Sequence, residues 1–191
     1  MTITRPMTIT VESHIADEYV DRFYELYAAA FGPVQARAAA RHMLTAAEFA
    51  DEMADKRIDK YVAWDDAGEP VALTTFTADL TAVPWISPQF YAARYPGEFA
   101  RGAVFYLGYT LVDPDRATLR TFPAMMQLLV ERMTQARGVC VFDVCAYNDG
   151  RSVGKMWDRV ARRGVAQVDV LDTQTYYAAS FTEVTETGSV E

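Results

Sequence analysis

Cysteine and histidine are almost missing from this sequence: two of each in 191 residues. With only Cys140, Cys145, His14 and His42 available, no structural zinc centre and no disulfide framework is expected. The two cysteines lie in one apolar run, Val139 to Asn148, which reads as a buried strand. Five positions apart, they would point to opposite faces and stay free thiols. Clusters of Lys and Arg are missing too. Eighteen basic residues face 26 acidic ones, a formal net charge of −8. Nucleic-acid and anionic-membrane binding are therefore not expected, whereas a cationic or amine-bearing substrate is compatible with that charge. No stretch reaches the roughly 18 apolar residues of a membrane span, and the first residues lack a signal-peptide core, so the expected compartment is the cytoplasm.

What remains has the length of one domain with a single core, expected over 7–182, with a flexible acidic tail over 183–191. Met-Thr-Ile-Thr at the start recurs at Met7 to Thr10, and the first six residues are set aside. From Asp17 to Phe31, Tyr19, Val20, Phe23, Tyr24, Tyr27, Ala30 and Phe31 recur every three or four positions ahead of Gly32-Pro33, which predicts an amphipathic helix with a stop. An Ala-rich stretch to His42 reads as a second helix. Thr45-Ala-Ala-Glu48 is a capping box for a third, ending near Arg57.

The period then shortens. Tyr61 to Trp64 and Val71 to Thr77, joined by Asp65-Asp-Ala-Gly68, read as a hairpin. The segment between Asp79 and Gly102 carries three prolines with Trp85, Phe90, Tyr91, Tyr95 and Phe99, and reads as a binding loop or lid with a helical turn near Pro88 to Ala93. Ala103 to Val112 is a strand, Pro123 marks the first turn of a helix ending before Gly138, and Val139 to Tyr147 is the next strand. A helix over 152–163 and strands over 165–171 and 175–181 close the pattern. The fold class is α+β with a βαβ unit in the second half, its strands parallel neighbours and its ligand site at their carboxyl ends.

This order, with Tyr106-Leu-Gly-Tyr-Thr-Leu-Val-Asp-Pro114 leading through an Arg-bearing turn into a helix and Asp143-Val-Cys-Ala-Tyr-Asn148 before another, resembles the GNAT superfamily of N-acyltransferases over roughly Tyr61 to Phe181. The resemblance implies a mixed, strongly twisted sheet flanked by helices and an acyl-CoA or acyl-carrier-protein thioester as donor. It also implies a strand whose backbone at Leu111 and Val112 holds the pantetheine arm. The turn and helix N-terminus, with Arg116, Arg120 and Thr121, would take the pyrophosphate as an anion site of unpaired N–H groups. Asn148 stands where family members often contact the pantetheine arm. The family turn usually carries two small glycine-type positions, and Arg116-Ala-Thr-Leu-Arg-Thr121 has none. Where the family's Tyr commonly follows on the next helix, Lys155 stands instead.

Direct attack of an amine on a thioester needs a proton acceptor, a polarised carbonyl and a route for the thiolate. Tyr106 occupies the strand region where family members often set a base or a water relay. Glu98 and Asp143 are the carboxylate candidates, and Tyr147 is a candidate acid. Asp143 interrupts an apolar strand, which fits either a functional buried carboxylate or an inner Asp bonding a backbone N–H. Trp85, Phe90, Tyr91 and Tyr95 would roof an apolar acyl or substrate pocket, or seal a sheet edge or a homodimer contact. The leading expectation is an N-acyltransferase acting on a small amine without a metal. The alternative is a catalytically inactive module of the same fold that binds a small molecule or a protein.

Overall fold

The computed structural model describes residues 7–40, 43–149 and 167–180. Two compact units divide the chain, Met1–Tyr147 and Asn148–Glu191. In the first, five strands form one sheet in the order β1-β2-β3-β4-β5. They are β1 (Thr8–Glu12), β2 (Asp59–Trp64), β3 (Pro70–Thr77), β4 (Val104–Val112) and β5 (Val139–Val141). The first four pair antiparallel; β4 and β5 pair parallel, with Val104, Phe105 and Tyr106 opposite Val139, Cys140 and Val141. The crossover between them is α5 (Thr121–Gln135), which makes the expected βαβ unit.

Two helices cover one face. The apolar stripe of α1 (Asp17–Phe31) and that of α2 (Ala46–Ala54) bury Phe23, Tyr27, Phe49 and Met53 against Val62, Leu73 and Leu111, each such side chain contributing about 1.5–3 kcal/mol. Beyond α1, Gly32–Val34 forms one 3₁₀ turn with Pro33 in it, which ends the helix. The capping box starts α2 as expected: the Glu48 amide donates to Thr45 Oγ1 at 3.3 Å and the Thr45 amide to the Glu48 carboxylate at 2.7 Å, a device worth about 1 kcal/mol. On the opposite face, α5 buries Met125 and Leu129, and Arg132 lies 5.8 Å over each of the Phe76 and Phe105 rings.

Between β2 and β3, Asp65 accepts from the amides of Ala67 and Glu69 at 3.0 and 2.9 Å, and Gly68 takes φ +83°, so the expected turn closes the hairpin. The segment after β3 contains the 3₁₀ turn Leu80–Ala82, α3 (Pro88–Arg94) and α4 (Pro96–Ala100). Arg101, just past α4, donates through its guanidinium to the carbonyls of Ala136 and Arg137, and this ties the end of that segment to the end of α5.

Four expectations are corrected. Residues 35–40 are not a helix: turns and bends follow the 3₁₀ turn, because the Ala-rich stretch offers no apolar face and a short isolated helix is marginal. The strand expected over 139–147 ends at Val141, so Asp143 and Cys145 lie beyond it, and Ala146–Asn148 is a helical turn. Both cysteines are free thiols, as expected. Residues 167–180, in the second unit, carry no strand; Val170 and Tyr177 are exposed, and β-rich composition makes no strand without a partner ladder. Thr8–Glu12, for which no strand was expected, pairs with β2 as the sheet's outer strand. The helix expected over 152–163 and the acidic tail lie outside the described residues.

Candidate functional site

β4 carries a bulge at the middle of the sheet. Thr74 pairs with Thr110 and Phe76 with Leu107, so Gly108 and Tyr109 together oppose the single residue Thr75. Thr75 Oγ1 takes a hydrogen bond from the Tyr109 amide at 3.3 Å, and a Cβ on Gly108 would stand 2.3 Å from that same oxygen. Only glycine fits there. The extra residue also resets the alternation of faces, so Tyr106, Tyr109 and Leu111 all project toward the α1 and α2 side. At this same level β5 ends: its last pair is Val141 with Tyr106, while β4 runs on to Val112. Beyond Tyr106, no strand among the described residues pairs with the outer edge of β4, which leaves a row of backbone donors and acceptors for a ligand.

Tyr106 stands at that parting point. Its hydroxyl donates to Asp143 Oδ1, and the Trp85 indole N–H reaches the Tyr106 hydroxyl at 2.8 Å and Asp143 Oδ1 at 3.3 Å. The Trp85 and Tyr106 rings meet edge to face at 6.1 Å. Burial, reinforced by the charge and hydrogen bond of Asp143, raises the Tyr106 phenol far above its ordinary value, so it keeps its proton. Asp143 itself is exposed. The arrangement couples a protonated phenol to a solvent-facing carboxyl acceptor, with an indole fixing both. Three residues singled out from sequence are thus brought together.

A second polar group lies under α2, and the sequence offered no cue to it. Glu52, on α2, Lys60, on β2, and Tyr109 sit among apolar side chains. Burial raises the Glu52 carboxyl above the ordinary carboxylate range, against the pull of Tyr109 and Lys60. The Tyr109 hydroxyl is buried and faces Glu52, and burial together with that carboxyl raises the phenol well above its ordinary value. Lys60 is fully buried and donates to the carbonyls of Ser13 and Asp55 at 3.1 and 2.6 Å; burial lowers its ammonium from 10.5 to about 8. Between those two values the unfolded chain binds more protons than the folded one, so stability rises with pH across that window and the full penalty of the buried charge is felt below about 8. Lys60→Met is expected to gain on the native chain by roughly 2–3 kcal/mol as pH falls through the window. Urea unfolding of both proteins, near pH 10 and near neutrality, measures it; a difference independent of pH would show that burial does not perturb this ammonium.

At the far end of β4, Asp113 is nearly buried and bonded on all sides. Although burial alone would raise it, the amides of Asp115 and Arg116 and the guanidinium of Arg22, 3.1 Å away, hold the carboxyl below its ordinary value. Arg116 pairs with Asp65 at 2.6 Å and reaches Glu69 at 3.9 Å. The Thr121 hydroxyl is buried and accepts from the Thr118 amide at 3.0 Å. Arg120 is exposed at the N-cap of α5, an end with no side-chain cap. Leu111 is a core residue and Val112 is half-buried, both paired with β3 on the stretch of β4 whose outer edge is open. The open edge and the uncapped helix end fit a long thioester with an anionic head, whereas Arg116 and Thr121 are already engaged within the protein.

Glu98, on α4, pairs with Arg101 at 3.7 Å. Tyr147 lies under the Arg37 guanidinium, 4.8 Å from its ring centroid, and its hydroxyl accepts from Arg37 at 2.5 Å. Asn148 begins the second unit, well past the end of β5. Phe90 and Tyr91 meet edge to face at 5.3 Å, Tyr91 facing Tyr106 through its charge, and Tyr95 joins α3 to α4. Beneath this segment lies a cavity of about 440 Å³, lined by Ala78, Leu80, Pro88, Phe99 and Val104 with Asp79. Phe90, Tyr91 and Tyr95 do not line it. Burial pushes the Cys140 thiol up to about 12, which keeps it inert. No group of three or more His, Cys, Asp or Glu side chains among the described residues is placed to hold a metal ion. No helix among them is long and apolar enough to cross a membrane.

No family model matches the sequence, and no curated protein matches it. Solved structures do match the fold. The ribosomal-protein-alanine N-acetyltransferase from Brucella melitensis biovar Abortus 2308 is 13% identical with a TM-score of 0.51, over 90% of this chain and 99% of its own. An aminoglycoside acetyltransferase from an uncultured soil metagenomic sample is 11% identical with a TM-score of 0.51, over 91% of this chain and 100% of its own. A mixed sheet with one parallel pair, a bulged β4 and flanking helices, matched over nine-tenths of the chain, is the fold of the GNAT N-acyltransferases.

Proposed function

We propose that this protein transfers an acyl group from an acyl-CoA or acyl-carrier-protein thioester to a small amine by direct attack. One observation carries the reading: β4 parts from β5 at Tyr106, and the Tyr106, Asp143 and Trp85 cluster stands at that point. The edge of β4 from Leu107 to Val112 offers backbone groups to the pantetheine arm, and Arg120 with the N-terminus of α5 offers positive potential to the anionic head. The amine attacks in its neutral form, and as the C–N bond forms and the C–S bond breaks Tyr106 receives the one proton the nitrogen sheds while passing its own to Asp143. Asp143 returns that proton by the same path, and the sulfur leaves as a thiol. Trp85 holds phenol and carboxylate in register throughout. The single-domain reading of 7–182, the cytoplasm as compartment and a homodimer belong to this proposal.

The second reading, a binding module without turnover, is favoured by Arg116, which is committed to Asp65, and by a turn without glycine. Calorimetric titration with CoA and acetyl-CoA separates the two. Stoichiometric binding is expected, weakened about tenfold by Arg120→Ala, the loss of one charge-assisted contact. Arg116→Ala is expected to lower stability instead. Heat from neither compound, together with no thiol release across a panel of amines, would rule out the transferase.

A further inference from the structure

We infer that the cavity beneath residues 79–102 receives the acyl chain of the donor, which makes the protein a transferase of medium-length acyl groups rather than of acetyl. The inference rests on the acyl-transfer reading. A thioester lying along the open edge of β4 meets a closed ladder at Tyr106, where β5 pairs with β4. Its acyl group must leave the plane of the sheet there. The α5 face is filled at that level by Phe105, stacked on Phe76 at 5.0 Å with Arg132 over both rings. The other face carries Tyr106 and, two residues along the same row, Val104, which lines the cavity.

The volume and lining suit this occupant. A cavity of about 440 Å³ falls within the ordinary range for small-molecule sites; its walls at Ala78, Leu80, Pro88, Phe99 and Val104 are hydrocarbon, and its polar side chains are those of Asp79 and Thr81. The one carboxylate among them, Asp79, is turned to its own helical turn, where Oδ1 accepts from the Thr81 amide at 3.0 Å and from the Thr81 hydroxyl at 2.6 Å. The two polar side chains of the lining thus bond to each other, and the hydrocarbon that makes up the rest suits an alkyl chain. An acetyl group, with a single methyl, would leave the cavity empty.

The test is calorimetric titration of the whole protein with CoA, acetyl-CoA and octanoyl-CoA. Each buried methylene multiplies affinity about fourfold, so octanoyl-CoA is expected to bind at least tenfold more tightly than acetyl-CoA. Ala78→Phe, placed at the exposed rim to fill the cavity, is expected to erase that preference. Phe99→Ala, which enlarges it, is expected to move the optimum to a longer chain, and circular dichroism shows that both variants are folded. Equal affinity for the two thioesters overturns the inference and leaves acyl transfer standing. So does binding of phenethylamine that Ala78→Phe abolishes, because the cavity would then belong to the acceptor. No binding of any CoA compound, together with no thiol release from acyl-CoA or an acyl-carrier-protein thioester across a panel of amines, overturns the acyl-transfer reading itself.

Discussion

Asp143→Asn is expected to lower amine-dependent acyl transfer by about 10²- to 10⁴-fold, the usual contribution of a positioned proton acceptor. The amide keeps the shape of the side chain and its contact with Trp85 but cannot take up a proton. Because Asp143 is exposed, folding is not at stake. Tyr106→Phe removes the hydroxyl through which the carboxylate acts and is expected to cost a similar factor. The two acting as one unit, the double variant should lose little more than either alone, since effects within a single relay are not additive. Thiol release from the acyl donor in the presence of an amine measures all three. Undiminished turnover in Asp143→Asn would remove the pair from the reaction and leave the fold's ligand cleft without an identified proton acceptor.

Gly108→Ala is expected to destabilise the protein by about 2–3 kcal/mol, a fall in melting temperature of roughly 5–10 °C. The cause is local: the added Cβ would stand 2.3 Å from Thr75 Oγ1, which cannot swing away without abandoning the Tyr109 amide. The clash names its own remedy. In Thr75→Ala/Gly108→Ala the offending oxygen is gone and the next nearest atom, Thr75 Cβ at 3.5 Å, is in ordinary contact, so most of the lost stability should return. Thermal unfolding of the single and double variants checks this. If the double variant melts no higher than Gly108→Ala alone, steric conflict is not what reserves the position for glycine. Activity should follow the bulge, since the extra residue brings Tyr106 and Tyr109 to one face.

Legibility in the sequence tracked the range of the interactions involved. The Thr45 and Glu48 capping box, the Asp65 to Gly68 turn and the Gly32-Pro33 stop are local, and each was readable from a few adjacent residues. The parallel pairing of β4 and β5 followed from element order and chirality. The bulge was not expected, because a glycine inside an apolar strand is a cue that remains ambiguous until the partner residue, Thr75, is known. Ends of elements were read least well: Val139 to Tyr147 is apolar but for Asp143, yet only three of its residues find a partner in β4, and chain composition cannot show where a neighbour stops. Charges under α2 were invisible, because Glu52 and Lys60 read as surface residues until the sheet and helix close over them. Within the candidate site, Tyr106, Asp143 and Trp85 were each nominated separately. Their contact spans β4, the segment past β5 and the loop before α3, a distance along the chain that no spacing rule covers.

The brevity of β5 carries a consequence for how the molecule breathes. β2, β3 and β4 are bound to one another along nearly their whole lengths, whereas β5 holds to the sheet through three residue pairs. Local opening begins where the fewest backbone bonds must part. Fraying of β5 would carry Asp143 away from Tyr106 while the antiparallel meander stayed intact, so the proposed relay would assemble and dissolve on a cheaper equilibrium than the fold. Ligand that bridges the open edge of β4 to the segment beyond β5 closes that equilibrium, and the protein would then complete its proton path only when the donor is in place.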